Sequence, residues 1–328
     1  MLHRLFLLRL LICLFGVALA GVRTSYAQAQ NYPTKPIKLI VPFPPGAGTD
    51  LVARLVAQKL GEQMNGTLVV DNKTGAGGAI GAEFVAHADA DGYTLLFVAS
   101  PFTTVAAASK SPGYDPVQQY AGVALIATGP LVYVTSAGMP AASMRELIAL
   151  AKSRPGMLNY GSAGTAGINH LALELLNVRA GTKIVHVPYK GIGPATIDLL
   201  SGQIQLLTGT IPAVLPFVTQ GKVKALAVTG AKRSPLLPEA QTMQEAGVAD
   251  YEVYNYWGIV APAGTPREIV VRLNAEVQKM LANPEIRDRL EKDGVELTPG
   301  GPERMQAFIA SDLAAWKKLI VDAKLVLE

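Results

Sequence analysis

The chain has 328 residues, of which 50% are hydrophobic and 16% charged. That is enough apolar material for two cores and too little charge for a disordered or polyanion-binding chain. Its formal charge of +4 includes Arg4, Arg9 and Arg23 in an N-terminal stretch without acids, so the rest is near +1 and its charge gives no footing for nucleic acid.

The first 29 residues read as a signal peptide. Arg4 and Arg9 flank or interrupt the start of an apolar run, residues 10–20 are long enough for an h-region, and Ala27-Gln28-Ala29 fits the cleavage pattern, with cleavage near Ala27 or Ala29. The run is too short to span a bilayer comfortably. The single cysteine, Cys13, falls inside it and follows Ile12, which does not suit lipid attachment. The mature chain then has no disulfide, thiolate nucleophile or thiolate metal site, which fits a periplasmic protein.

Residues 37–43 form a strand that breaks at PPGAG, and Thr49 or Asp50 can cap the helix that follows. Leu51, Val52, Leu55, Val56 and Leu60 have helical spacing, and Gly61 is expected to stop that helix. A strand at 67–70, a glycine turn at 74–78 that includes Gly78, a helix at 80–88 and a strand at 93–99 complete a βαβαβ unit. The apolar stretch 121–134, with Gly129-Pro130 in its middle, reads as a crossing between lobes, and Ser143 caps a helix ending near Pro155-Gly156. A second βαβαβ unit runs from LNYGSAGTAGINH to QIQLLTGT, with Pro194 in the first turn of its second helix. A buried strand at 223–229 follows, then a return crossing at 251–261 and helices at 266–281, 285–292 and 303–323.

The expected fold is α/β, with two lobes that are each a mostly parallel sheet flanked by helices. One lobe takes 30–130 plus 253–328 and the other 131–252, an arrangement suited to hinge closure.

Both PPGAGTD and GSAGTAGINH lie between a strand and a helix, where free N–H groups and the helix dipole can hold a carboxylate. Matching turns in two repeats favour binding over plain connection. Nucleotide frames fail: GAGGAIG has Ile80 where the last glycine of G-x-G-x-x-G belongs, and no P-loop occurs. A serine hydrolase built on Ser162, His170 and Asp198 competes, but Tyr160 occupies the first glycine position of the nucleophile elbow. His87, His170 and His186 have no ligand-like spacing, so no metal is expected. Phe43, Ser100, Phe102, Thr208 and Thr210 stand at strand ends, where the rest of a ligand would lie, and Lys190 either faces an acid or is simply solvated.

The segments YPTKPIKLIVPFPPGAGTD, GAGGAIGAEFVAHADADGYTLL, HLA, VPYKG and APAGTP resemble the substrate-binding proteins of tripartite tricarboxylate transporters, the Bug family, over nearly the whole mature chain. The resemblance implies a type II-like periplasmic binding protein that closes on a small mono- or dicarboxylate and passes it to integral-membrane transporter subunits. It implies no catalysis and no cofactor. The carboxylate would be held by main chain and ordered waters. Pro45, Gly46, Gly48, Thr49 and Asp50 match the first binding turn. Gly161, Ser162, Gly164 and His170 match the second, with Thr165, Ala166 and Gly167 inside it, and Pro188, Tyr189, Lys190 and Gly191 match a further motif. Ala47 replaces a glycine of the family pattern, and Ala166-Gly167 stand where it has glycine and serine. The protein is expected to act as a monomer. A periplasmic sensor that presents the acid to a membrane signalling partner is the alternative receptor reading.

Overall fold

The computed structural model describes residues 32–292, 294–322, 324 and 325. The expected signal segment, with Cys13, Ala27 and Ala29, lies outside them. β1 (Ile37–Val41) runs into the first glycine turn and α1 (Gly48–Gln63), then β2 (Leu68–Asn72), a short 3-10 turn (Ala76–Gly78), α2 (Ala79–Ala86) and β3 (Thr94–Ala99). β2 and β3 pair with β1 in parallel on its two sides, so the order is β2-β1-β3. The two connecting helices cover opposite faces. Val52 and Val56 of α1 join Leu39 and Val41 in one cluster, and Ala82 and Val85 of α2 join Ile40 in another. β1 therefore lies at a switch point, and the turn leaving its carboxyl end opens into a crevice.

α3 (Pro101–Ala108) leads to β4 (Tyr120–Ser136), followed by α4 (Met144–Ser153). The second unit follows as β5 (Asn159–Ser162), α5 (Ile168–Ala180), β6 (Val185–Pro188), α6 (Ile192–Ser201) and β7 (Leu206–Thr210). Its strand order, β6-β5-β7, repeats that of the first unit, again parallel. α5 and α6 also cover opposite faces, with Leu171 and Leu199 in separate clusters.

α7 (Ile211–Thr219), β8 (Val223–Val228) and β9 (Gln241–Thr242) complete the second sheet, and β10 (Tyr254–Pro262) returns to the first. α8 (Arg267–Leu281), α9 (Pro284–Lys292), β11 (Glu296–Gly300) and α10 (Pro302–Asp322) close the chain. Among the described residues no helix is long and apolar enough to cross a membrane.

β4 belongs to both sheets. Up to Pro130 it pairs antiparallel with β10, and from Leu131 it pairs with β7 and β8. Proline has no N–H to give a ladder, so it suits the point where one set of partners ends. Thr229 pins this point: its hydroxyl donates to Val253 O at 2.5 Å and accepts from Leu131 N at 2.8 Å.

Several expectations need correction. α1 continues past Gly61 to Gln63, and Asn65, at φ 48°, makes the left-handed reversal. A methyl on Gly61 would lie 3.2 Å from Gly66 O, so this glycine permits close packing instead of stopping the helix. α1 also starts at Gly48, one residue before the expected caps; Ala47 holds the cap position and no side chain bonds there. Ser143 does cap its helix, accepting from Glu146 N at 3.2 Å. Helices α3 and α7 and strand β11 lacked a signal strong enough to read, because each is short and set among other apolar or glycine-rich residues. The crossing strands β10 and β4 add antiparallel pairs to the parallel triplets.

α10 ties the two halves together a third time. Met305, Ile309 and Leu313 pack against the first sheet, while Trp316 enters the core of the second, with Leu319, Ile320 and Leu325 beside it. Truncating a buried tryptophan removes large apolar contact area. Trp316→Ala is expected to lower the free energy of unfolding by about 3 kcal/mol. Urea denaturation should show a lower midpoint at unchanged slope; an unmoved midpoint would contradict a bridging role.

Candidate functional site

The first glycine turn is fixed from below by Asp50. Its Oδ2 accepts from Gly46 N at 2.9 Å and Arg54 Nε at 2.8 Å, and its Oδ1 accepts from Asn72 Nδ2 at 2.8 Å. Asn72 also donates to Phe43 O at 2.9 Å. Burial alone would raise the Asp50 pKa, but the bonds from Arg54, Asn72 and Gly46 outweigh it and hold the carboxyl ionised below its ordinary range. The first bond of α1 runs from Leu51 N to Ala47 O, which leaves the N–H groups of Gly48, Thr49 and Asp50 without a helical acceptor. Because Asp50 is paired with Arg54, the turn offers these donors on a locally neutral base.

The second turn is built differently. Ser162 Oγ lies 2.6 Å from His186 Nε2, and Gly164 N donates to the same hydroxyl at 3.2 Å. Ala166 N donates to His170 Nδ1 at 3.0 Å. The rings of His170 and His186 stack at 3.8 Å and 9°, with Tyr160 against His186 at 4.9 Å. The first bond of α5 is Leu171 N to Gly167 O, so Ile168, Asn169 and His170 present free N–H groups. Ala166 adopts φ 62°, which costs an L-residue about 1 kcal/mol and which a glycine would adopt freely. Ala47 has an ordinary extended φ of −65°, so its methyl strains nothing.

The two turns face one another across a cleft of about 800 Å³. Of the expected site residues, Phe43, Ala47, Gly48, Thr49, Gly78, Gly164, Thr165, Ala166, Gly167, Tyr189, Lys190, Gly191 and Thr210 line it. The walls nearly touch. A methyl on Gly48 would lie 2.5 Å from Thr210 Oγ1, and one on Gly191 would lie 3.3 Å from Pro44 Cγ. At these points the arrangement is closed. Among the described residues, Lys190 is the lone acidic or basic side chain of the lining, and it is exposed at the rim.

Other expected residues stand behind this surface. Pro45 and Gly46 belong to the exposed bend of the first turn, and Asp50 braces it. Ser162 and His170 are buried braces of the second. Thr208 exchanges bonds with Asn169, and Phe102 packs between Tyr114 and Tyr120. Ser100 Oγ donates to Tyr254 O at 3.2 Å and accepts from Tyr256 N at 3.2 Å, which ties it to β10. The hydrolase relay does not assemble. Ser162 pairs with His186 in place of His170, and Asp198 accepts from Tyr189 OH at 2.7 Å.

Sequence reasoning missed part of the lining. Thr74, Gly75, Ala76 and Gly77 form a third wall, in which Gly75 to Gly78 all have positive φ. GAGGAIG held the signal, which the failed nucleotide frame obscured. Val105, Ala213 and Asn255 also line the cleft and had no local signal, because only packing brings α3, α7 and β10 there.

A family model described as tripartite tricarboxylate transporter family receptor matches residues 52–325. A protein encoded in the tcbD-tcbE intergenic region of Pseudomonas sp. (strain P51) is 37% identical over 316 residues, covering 95% of this chain and 94% of that protein. Among solved structures, the periplasmic binding protein BugD is 35% identical, with TM-score 0.85, covering 89% of this chain and 99% of that one. An R. palustris protein with adipate is 36% identical, with TM-score 0.86, covering 89% and 98%.

The stacked histidines make stability depend on pH. Burial lowers the pKa of both to about 4 from an ordinary 6.5, and for His170 the charge of His186 adds to it. Between those values the unfolded chain binds protons that the native chain does not, so stability present above pH 6.5 is lost as pH falls toward 4. Each shift would be worth about 3 kcal/mol unscreened, and solvent screening at the half-buried His186 reduces the expected total loss to about 1–3 kcal/mol. Urea unfolding of the wild type and His186→Phe across this range should give the variant the shallower slope. Equal slopes would show that His186 does not contribute.

Proposed function

The chain belongs to the tripartite tricarboxylate transporter receptor family, and from that premise we propose that it captures a small organic acid in the periplasm and delivers it to a membrane transporter. One observation carries the reading. Two helix N-termini, one from each sheet, turn free N–H groups onto a single cleft whose lining has one lysine and no carboxylate. Such donors suit an anion, and the paired dipoles reinforce them. The adipate on the R. palustris neighbour supports a carboxylate as the solute.

The lobes are taken as 30–130 with 253–328, and 131–252. The change of partners along β4 after Pro130 supports this division. Ligand bridging both turns favours the closed state by its differential affinity for it. Neutral donors and water hold the acid without a buried ion pair, so release remains accessible when the lobes part.

Mature protein stripped of bound solute is expected to melt higher with a mono- or dicarboxylate such as adipate, by about 2.7 kcal/mol of added stability at a hundredfold excess over Kd. A broad carboxylate panel without any shift would refute the proposal. Gly48→Val should abolish the shift, because a side chain there would lie 2.5 Å from Thr210 Oγ1 and hold the two turns apart. Retained affinity would remove the first turn from the site.

A further inference from the structure

The buried hydroxyl of Ser162 makes three polar contacts: Gly164 N at 3.2 Å, Gly164 O at 3.0 Å and His186 Nε2 at 2.6 Å. A hydroxyl has one proton to donate and two lone pairs with which to accept. Gly164 N is a donor and Gly164 O an acceptor, so the third contact decides where the proton lies. With a bare Nε2 the proton would go to the ring, and Ser162 Oγ and Gly164 O would meet as two lone pairs at 3.0 Å. With a hydrogen on Nε2, the ring donates to Oγ, Oγ donates to Gly164 O, and all three contacts are hydrogen bonds. The ring cannot be turned over, because that would set a carbon 2.6 Å from the hydroxyl oxygen.

What this hydroxyl grips is part of the cleft. Gly164 lines it at φ 137°, a glycine conformation, and a side chain there would meet only Tyr189 O, at 3.7 Å. Packing therefore does little to hold this residue, and hydrogen bonds must. Gly164 O also accepts from Gly167 N at 3.3 Å, and Gly167 is the cap residue of α5. His170 Nδ1 holds Ala166 N in the same way. The amides of residues 164 and 166 are thus bonded from beneath. Thr165 lies between them, lines the cleft, and has no bond to its N–H among the described residues. His186 is not part of the lining, so its influence on a ligand passes through Ser162.

We infer that His186 is a positioning residue whose Nε2–H tautomer fixes the Ser162 hydroxyl on Gly164 and so sets the second turn for the bound acid. This rests on the carboxylate-receptor reading.

Two measurements test it. In mature protein labelled with 15N-histidine, NMR near pH 7.5 should show His186 with a protonated Nε2 and a bare Nδ1, the tautomer that Ala166 N imposes on His170. A bare Nε2 on His186 overturns the assignment whatever the variants do. The second is titration calorimetry on solute-stripped protein with succinate, glutarate, adipate and hexanoate. For the acid that binds the wild type most tightly, His186→Leu and Ser162→Ala should each weaken binding by about tenfold. The double variant should be no weaker than Ser162→Ala alone, because the histidine acts through that hydroxyl. His186→Gln, whose side-chain amide can donate from about where Nε2 stands, should recover most of the lost affinity. A histidine that only fills space would give a leucine variant with the wild-type Kd, or losses that add in the double variant, and either result overturns the inference. If the leucine variant does not fold, a wild-type Kd in Ser162→Ala overturns it equally. Failure of every acid to bind the wild type overturns the receptor reading instead, and leaves the tautomer to stand as a structural feature.

Discussion

A single 17-residue strand serves two sheets, and the rest of the molecule is organised by that sharing. The backbone of β4 must satisfy β10 on one side of Pro130 and β7 and β8 on the other. Proline cannot donate to either ladder, so the exchange occurs where a ladder bond is already missing. Thr229 then supplies the local bonds, linking Leu131 and Val253 across the two crossing segments. The two βαβαβ units are thereby set with their carboxyl-end turns facing each other. The third connection, α10, passes from one core into the other.

The cleft follows from that placement. Each unit has the same strand order, so each puts its first βα turn at a switch point. The turns reach the same outcome by different chemistry. The first is held by an ionised aspartate that its arginine neutralises, the second by a neutral serine-histidine pair stacked on another histidine. In both, side chains bond the turn from beneath and leave the leading N–H groups of the helix free. The field at the cleft is consequently that of backbone dipoles, with one exposed lysine at the rim. Backbone donors are prepositioned by the helices themselves, so each turn needs little local reorganisation to meet an anion.

Much of this was legible in the chain. Apolar strand runs, helical spacing at Leu51 to Leu60 and the recurrence of two glycine turns suffice for two α/β units. The signal was weaker where one residue type serves two ends. Gly61 has the form of a helix stop but acts as a packing notch against Gly66. Ser162 and His170 have the form of cleft residues but act as braces, because a strand-to-helix turn presents its backbone outward and folds these side chains inward. Ser100 likewise stands at a strand end, yet its hydroxyl is consumed by β10.

The sequence by itself determined the repeated units and their turns, since backbone periodicity and glycine conformation are local properties. It also determined that PPGAGTD and GSAGTAGINH hold no lysine, arginine or glutamate, whereas only the fold brings Lys190, from the turn after β6, to the cleft. The tertiary structure alone decided which face of each turn is open, that His186 and not His170 meets Ser162, and that Asn255 joins the cleft lining. Those outcomes depend on contacts between residues far apart in the chain, such as Ser100 with Asn255. They arise from the burial and hydrogen-bond demands of the assembled halves, which no local pattern encodes.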